Sequence, residues 1–323
     1  IREGAGIIDM SGLKKIRVSG KDSGEVLNHV FSREIKKLQP GQSSYGIVLN
    51  DKCFIADDAI VYKNENEFIF VHGSGESMEL IQESAKGKEV DVKFDDDLHD
   101  ISLQGPNALE ILKNHTPIDL ESLKYFNHHE TELFGNKCVL SRTGYSGEKG
   151  FELFVSGNDA VAVWDNILEA GKNLGVMPAS FTALDKARIE AGLLFYGYDM
   201  TNEHSPWEVN LHWTMSKGKT GYRGYDAAMN IKDKLNFTNV GLDIDHNEGL
   251  AGGEEIFVND KKVGIVNSPC YSKRMGKSLA LGHIDVDCSK PETAVVINTS
   301  DKKLNAIVSS LPFYDPKKTR THS

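Results

Sequence analysis

LSRTGYSGEKGFELFV, residues 140–155, sets two short apolar runs on either side of a turn with glycines at 144, 147 and 150. Strand, glycine-rich turn, strand is the plain reading, and glycine lets a backbone approach a neighbour or a ligand closely. The turn is not a phosphate loop, because no Lys-Ser/Thr follows it and no helix opens there. Alternation along the second strand puts Glu152 and Phe154 on one face and Phe151, Leu153 and Val155 on the other. A glutamate on a half-buried strand is ordinarily exposed. A buried one beside such a turn is suited instead to accept paired N–H donors from a flat heterocycle. The stretch leaves both readings open.

The sequence on either side supplies the setting. Upstream, residues 7–32 read as a strand pair and then a helix opened by KDSGE. Residues 43–63, SSYGIVLNDKCFIADDAIVYK, read as a hairpin turning at Asn50-Asp51-Lys52. A strand follows in NENEFIFVHG, a helix ended by Gly87, two strands in KEVDVKFDDDLHDISLQG, and a short helix with Pro106 in its first turn. Downstream, residues 157–175 form an amphipathic helix with Val161, Trp164, Ile167 and Leu168 on its apolar stripe, and TALDKARIEAGL forms another. From about Phe237 the helical signal stops, and short strands at close spacing predict a small β-barrel. The class is α+β with a C-terminal β-barrel domain.

The bulk numbers exclude several functions. The 323 residues allow two or three domains. With 47 acidic against 37 basic side chains, a net charge of -10 argues against a dedicated nucleic-acid binder. No apolar run approaches the roughly 18–20 residues that span a bilayer, so no membrane partner is expected. Cys53, Cys138, Cys270 and Cys288 form no CxxC pair and have no His at zinc spacing, so no metal site is expected, and free thiols suit a reducing cytoplasm. Residue 1 is Ile and no signal peptide follows, which is the expectation for a chain cut from a longer polypeptide or lacking its start.

A second pair of acids is out of place in CFIADDAIVY, residues 53–62. Alternation puts Phe54, Ala56, Asp58, Ile60 and Tyr62 on one face and Cys53, Ile55, Asp57, Ala59 and Val61 on the other. Both acids then sit mid-strand among apolar neighbours, where carboxylates are disfavoured. A β-bulge at the Asp57-Asp58 pair accounts for this structurally. The chemical reading is a carboxylate among Phe54, Ile60 and Tyr62, its pKa raised by desolvation until it exchanges protons near neutrality. A serine hydrolase is excluded, since there is no G-x-S-x-G elbow and Ser141 and Ser146 have no base nearby in sequence. His128-His129 reads as a solvated pair.

Taken in order, GIIDMSGLKKIRVSGKDS, QPGQSSYGIVLNDKCFIADDAIVY, LQGPNALEIL, SRTGYSGEKGFELFV, RIEAGLLFYGYDM, SPWEVNLHWTM and LPFYDP resemble the folate-dependent aminomethyltransferase family. That family comprises the T-protein of the glycine cleavage system and its demethylase relatives. The resemblance implies a three-domain cloverleaf around a central folate channel. Its parts are a discontinuous folate-binding core over 1–48 and 118–236 with its N-terminal arm missing, an inserted α/β domain over 49–117, and the barrel over 237–323. It implies tetrahydrofolate as cofactor, Asp58 as the catalytic group beside folate N5, and Glu152 as the acceptor for the pterin ring. Tyr45, Tyr62, Phe126 and Tyr145 fall on positions that line the pterin pocket.

The chain departs from the T-protein pattern at several points. Leu184 stands where an arginine ligand is usual, Gly73 where an asparagine is, and the loop Gly249–Gly253 lacks an arginine. These changes leave the one-carbon donor open. It is the aminomethyl-lipoyl arm of a carrier protein, or a small methylated molecule as in the dimethylsulfoniopropionate demethylase. A non-catalytic folate-binding assembly factor is the remaining reading. Such relatives carry a K-G-C-[YF]-x-G-Q-E signature, and the matching region here, WTMSKGKTGYRGYDAAM, has no cysteine.

Overall fold

A computed structural model describes residues 1–322 of the chain. In chain order the first strands are β1 (Ala5–Asp9), β2 (Lys14–Ser19), β3 (Gln42–Leu49), β4 (Ile55–Lys63), β5 (Glu67–His72) and β6 (Asp91–Phe94). They are followed by β7 (Leu98–Gln104), β8 (His128–Leu133), β9 (Asn136–Ser141), β10 (Gly150–Ser156) and β11 (Val176–Pro178). One sheet runs β11-β1-β7-β10-β9-β8 and the other β3-β4-β5-β2-β6. β1 and β2, expected as a strand pair, do not pair. The chain crosses from the first sheet to the second between Asp9 and Lys14 and returns between Phe94 and Leu98.

The period-2 pattern of these strands decides the layering. Val18, Val61 and Phe70 turn outward onto helices α1 (Ser23–Val30) and α2 (Ser77–Ser84). Ile101, Leu103, Leu140 and Leu153 turn outward onto α3 (Ala108–Leu112) and α4 (Gly157–Ala170). The inner faces meet each other through Tyr62, Ile69, Val71, Val139 and Phe154. Tyr62 and Phe154 pack edge to face, with ring centroids 5.1 Å apart. The result is four layers, helix, sheet, sheet, helix.

The apolar stripe of α4 lies one step round from its expected place. Val161 is 71% exposed, while Val163 and Ile167 are buried and Trp164 and Leu168 flank them. Residues 164, 167 and 168 belong to two overlapping stripes of a 3.6-residue repeat, and Val163, four before Ile167, completes the buried one.

Helix α5 (Phe181–Glu190) is opened by Ser180, whose side chain accepts the Ala183 N–H. After it, residues 194–231 close the open end of the second sheet, with Met200, Val209 and Tyr222 on Ile47, Leu49 and Ile55. The expected barrel is present and closed. Its strands are β12 (Phe237–Ile244), β13 (Glu255–Val258), β14 (Lys261–Ser272), β15 (Lys277–Asp285), β16 (Ala294–Asn298) and β17 (Lys303–Ser309). They join in the order β12-β15-β14-β13-β16-β17. Ile189 of α5 packs on Cys270, Leu279 and Leu281 of the barrel wall. Among the described residues no helix is long and apolar enough to cross a membrane.

The position of the α4 stripe is testable. Ile167→Ala should cost about 2–5 kcal/mol in urea unfolding, whereas Val161→Ala should stay within about 0.5 kcal/mol of the parent. Equal losses at both positions would restore the stripe read from the sequence.

Candidate functional site

The β3–β4 hairpin turns where expected, with Asn50 Oδ1 accepting the N–H groups of Lys52 and Phe54 at 3.0 and 3.1 Å. Its register is irregular. Leu49 pairs with Ile55, but Val48 pairs with Asp57, so Ala56 is an extra residue. The bulge therefore precedes the two acids instead of falling between them. It also breaks the alternation assumed from the sequence. Ile55 packs beside Ile47 and Leu49, and Ile47 is the partner of Asp58, so Ile55 and Asp58 share the inner face although three residues apart. Ala56 packs outward with Ala59 and Val61, and Asp57 turns out with it. Strict alternation from Ile55 would have aimed Asp57 inward; the bulge aims Asp58 there instead.

Asp58 is half-buried, and its Oδ2 accepts the Tyr45 hydroxyl at 2.9 Å. Burial first, and the neighbouring charge of Asp57 second, push its carboxyl up to about 7 against the opposing Tyr45 bond. Strong desolvation in a side chain that keeps accessible surface is what a carboxyl set back in a recess shows. No other residue donates to its Oδ1, which is not among the sealed, unpartnered atoms. Tyr45 stacks on the exposed Trp213, with centroids 6.0 Å apart.

Glu152 is buried, 6% exposed, which removes the ordinary reading of an exposed strand residue. Its Oε2 takes both the Thr143 hydroxyl at 2.5 Å and the Tyr62 hydroxyl at 3.3 Å. As at Asp58, the other oxygen is unbonded and not sealed. Burial raises its carboxyl and the two hydroxyl bonds oppose the rise. Tyr62 stands on β4 four residues beyond Asp58, roughly 13 Å along the strand, so the two acids mark the ends of one inward-facing stripe.

The glycines of residues 144 and 150 serve packing. A Cβ at either would collide with the amide of Gln104, which is wholly buried and held by Ser146 Oγ at 2.7 Å. Tyr145 donates its hydroxyl to the Leu194 carbonyl, and its ring packs with Ile8, Met10 and Leu184. Leu184 thus supplies buried apolar surface beside Tyr145. Phe126 has a φ of 62°. It is tied to Arg142 and Ser43, its N–H reaching the Arg142 carbonyl at 3.0 Å and its own carbonyl taking the Ser43 N–H at 2.8 Å.

Three features escaped the sequence reading. Asp100 of β7 lies opposite Phe154, one pleat from the Ser102 that pairs with Glu152. It is buried with both oxygens unpartnered, and burial, then the Glu152 charge, hold its carboxyl well above the usual range. Tyr196 faces the charges of Asp57, Glu76 and Asp58, and burial pushes its phenol to about 12. His128 is 1% exposed, bonded to Asn64 at 3.0 Å and set edge-on to Tyr62, so it is not half of a solvated pair. Burial lowers it to about 4. The odd acid in LHDISLQ was the one available signal for Asp100.

Comparison with known proteins agrees with this architecture. Residues 1–219 match the GCVT N-terminal domain, and residues 238–315 match the glycine cleavage T-protein C-terminal barrel domain. The chain belongs to the glycine cleavage T-protein family. It is 38% identical to the heme-dependent oxidative N-demethylase gamma subunit of Ectopseudomonas mendocina, over 99% of this chain and 87% of that one. It is 34% identical to the trimethylamine-oxide aldolase of Ruegeria pomeroyi, over 100% of this chain and 43% of that larger protein. An aminomethyltransferase of a Thermoanaerobacter species is 30% identical, over 97% of this chain and 87% of that one. Among solved structures, the glycine cleavage system aminomethyltransferase T of Bartonella henselae superposes with a TM-score of 0.90 at 28% identity, over 98% and 88% of the two chains.

The raised Asp58 carboxyl has a signed consequence. A carboxyl whose folded pKa lies above its unfolded value of 3.8 costs the fold nothing below pH 4 and progressively more as pH rises through about 7. Asp58→Asn should therefore melt higher than the parent at pH 8, with the difference vanishing towards pH 4. A parent that melts higher than the variant at pH 8 would mean that Asp58 supports the fold.

Proposed function

We propose that the chain is a tetrahydrofolate-dependent one-carbon transferase that takes an amine-derived one-carbon unit at the oxidation level of formaldehyde, giving 5,10-methylenetetrahydrofolate. The observation that carries this reading is the pair of inward-facing carboxylates, Asp58 and Glu152, each with one oxygen fixed by a tyrosine hydroxyl and the other left open to the recess. A flat heterocycle with adjacent N–H donors fits that arrangement, since a carboxylate oxygen with no protein partner offers the acceptor such donors need.

Tetrahydrofolate, when bound, supplies the nucleophilic nitrogen, N5, that accepts the one-carbon unit. Glu152 takes the pterin's donors, and Tyr62 and Thr143 hold its carboxylate in place. Tyr45, Tyr145 and Phe126 line the pocket. Asp58, with a carboxyl near 7, orients N5 or accepts its proton at working pH. The walls hold the reactants in line and exclude water. Leu184 is buried against Tyr145, so that position offers no guanidinium to an anionic donor.

Two donors remain in contention within this reading, and both leave the same product. One is a small N-methylated amine processed by a partner enzyme, favoured by the relatives whose names describe an N-demethylase and an amine-oxide aldolase. The other is the aminomethyl arm of a lipoylated carrier protein, favoured by the aminomethyltransferases. A sulfonium or other methyl donor would yield 5-methyltetrahydrofolate instead. The enzyme would act in the cytoplasm.

Tetrahydrofolate at one hundred times its Kd should stabilise the fold by about 2.7 kcal/mol, and Glu152→Gln should remove roughly 1–3 kcal/mol of binding, because a donor then faces donors. An unmoved melting curve for the parent would end the folate assignment. Asp58→Asn should lower turnover by about 10²-fold or more while keeping the folate-induced rise in melting temperature. Incubation with formaldehyde, N-methylated amines, a lipoylated carrier and sulfonium donors, followed by identification of the folate product, decides the donor class. Accumulation of the 5-methyl product would overturn the proposed oxidation level.

A further inference from the structure

Behind Asp58, on the outward face of β4, lies a second cluster that the proposed chemistry does not use. Asp57 is wholly buried, with no exposed surface, and so is Ser77; His72 is 2% exposed. The ring Nδ1 of His72, on β5, lies 2.6 Å from Asp57 Oδ2. The Ser77 hydroxyl, in the first turn of α2, donates to the same oxygen at 2.6 Å. The remaining oxygen, Oδ1, accepts the backbone N–H of Asp58 at 2.9 Å. An ionised carboxylate can only accept, so His72 Nδ1 carries the hydrogen in that contact. Gly75 closes the back of the cluster: a Cβ there would run into the Ala56 carbonyl and the Asp57 side chain.

A buried carboxylate with three donors from three elements is costly to assemble and needs a reason. The bulge supplies one. Ala56 interrupts the β3–β4 ladder immediately before these residues, and Asp57 and Asp58 resume it against Val48 and Ile47 directly after the extra residue. At that junction the Asp57 carboxylate adds a restraint of its own, a bond to the next residue's N–H.

We propose that Asp57, clamped by His72 and Ser77, is the positioning residue for Asp58, fixing its backbone at the bulge and setting the charge that its carboxylate faces. The inference rests on the one-carbon reading for the importance of Asp58, but not for its own test. It departs from what alternation suggests, namely that an acid on the opposite face is indifferent to the site. The charged and titratable groups facing the two aspartates are few. They are Tyr45 on β3, His72 on β5, Glu76 ahead of α2, and Tyr145 and Tyr196 from the loops that close the recess. Asp57 is the neighbouring charge that raises the Asp58 carboxyl, and it is the nearest negative charge by chain and by hydrogen bond.

The test reads Asp58 directly. The side-chain carboxyl carbon of Asp58 is followed by ¹³C NMR against pH in aspartate-labelled protein, its signal assigned by its loss in Asp58→Asn. In Asp57→Asn the titration midpoint should fall below that of the parent, since the neighbouring negative charge is gone. The acid limb of the pH–rate profile should move down with it. Ser77→Ala removes one donor and leaves the charge. Its kcat should fall about tenfold through looser placement of Asp58, with folate KM and the acid limb unmoved. An unchanged Asp58 midpoint in folded Asp57→Asn, or a parental kcat in Ser77→Ala, overturns the proposal. A parent that makes no folate product from any donor overturns the proposed function alone, because the Asp58 titration needs no turnover.

Discussion

Two sheets pressed face to face leave a polar side chain on either inner surface with no water to retreat to, and the structure is organised around that constraint. Tyr62, Phe154, Val139 and their neighbours seal most of the interface. The acids that remain inside must be bonded, protonated or aimed at an opening. Glu152 is tied to Thr143 and Tyr62, Asp58 to Tyr45, and burial, then the Glu152 charge, holds the Asp100 carboxyl well above its usual range. A core built for stability alone would have apolar residues at all three places. Keeping carboxylates there costs the fold, and the cost falls on a recess with two open acceptor oxygens.

Asp57 shows the same physics with the opposite outcome. It is more deeply buried than Asp58, yet both of its oxygens are bonded, by His72, Ser77 and the Asp58 N–H. Adjacent residues of one type thus divide into an acid with both oxygens bonded and an acid with one. Alternation sends the two to opposite faces, and a single inserted alanine decides that Asp57 turns to the helices and Asp58 to the recess.

Much of this was legible in the chain, and the failures have definite causes. The hairpin at Asn50–Lys52, the strand after the glycine-rich turn and the closed barrel follow from local pattern, because turn chemistry and period-2 alternation act over a few residues. The burial of Glu152 does not. A strand covered on one face and a strand sandwiched between sheets can share the same alternation, and only the second sheet distinguishes them. The bulge was misplaced by a residue for a related reason, since it is defined by the register against β3. Asp57's partners arrive from β5 and α2, and Gln104, the reason for glycine at 144 and 150, from β7. The family resemblance singled out Asp58 and Glu152, but it carried no information on Asp100, whose isolation is a property of the assembled sheet.

The loop of residues 195–199 sets Tyr196 beside the two aspartates at one end and is gripped by the barrel at the other. Arg188 binds Asp199 at 2.5 Å and the barrel's Ser268 at 2.8 Å, and His283 of β15 meets the Asp199 carbonyl at 2.8 Å. The two family segments, 1–219 and 238–315, are therefore separable as text but not as mechanics. The barrel works as a splint for a loop that forms part of the recess wall. A change in the barrel's wall, far from any carboxylate in sequence, would be felt at Asp58 as a loosened ceiling.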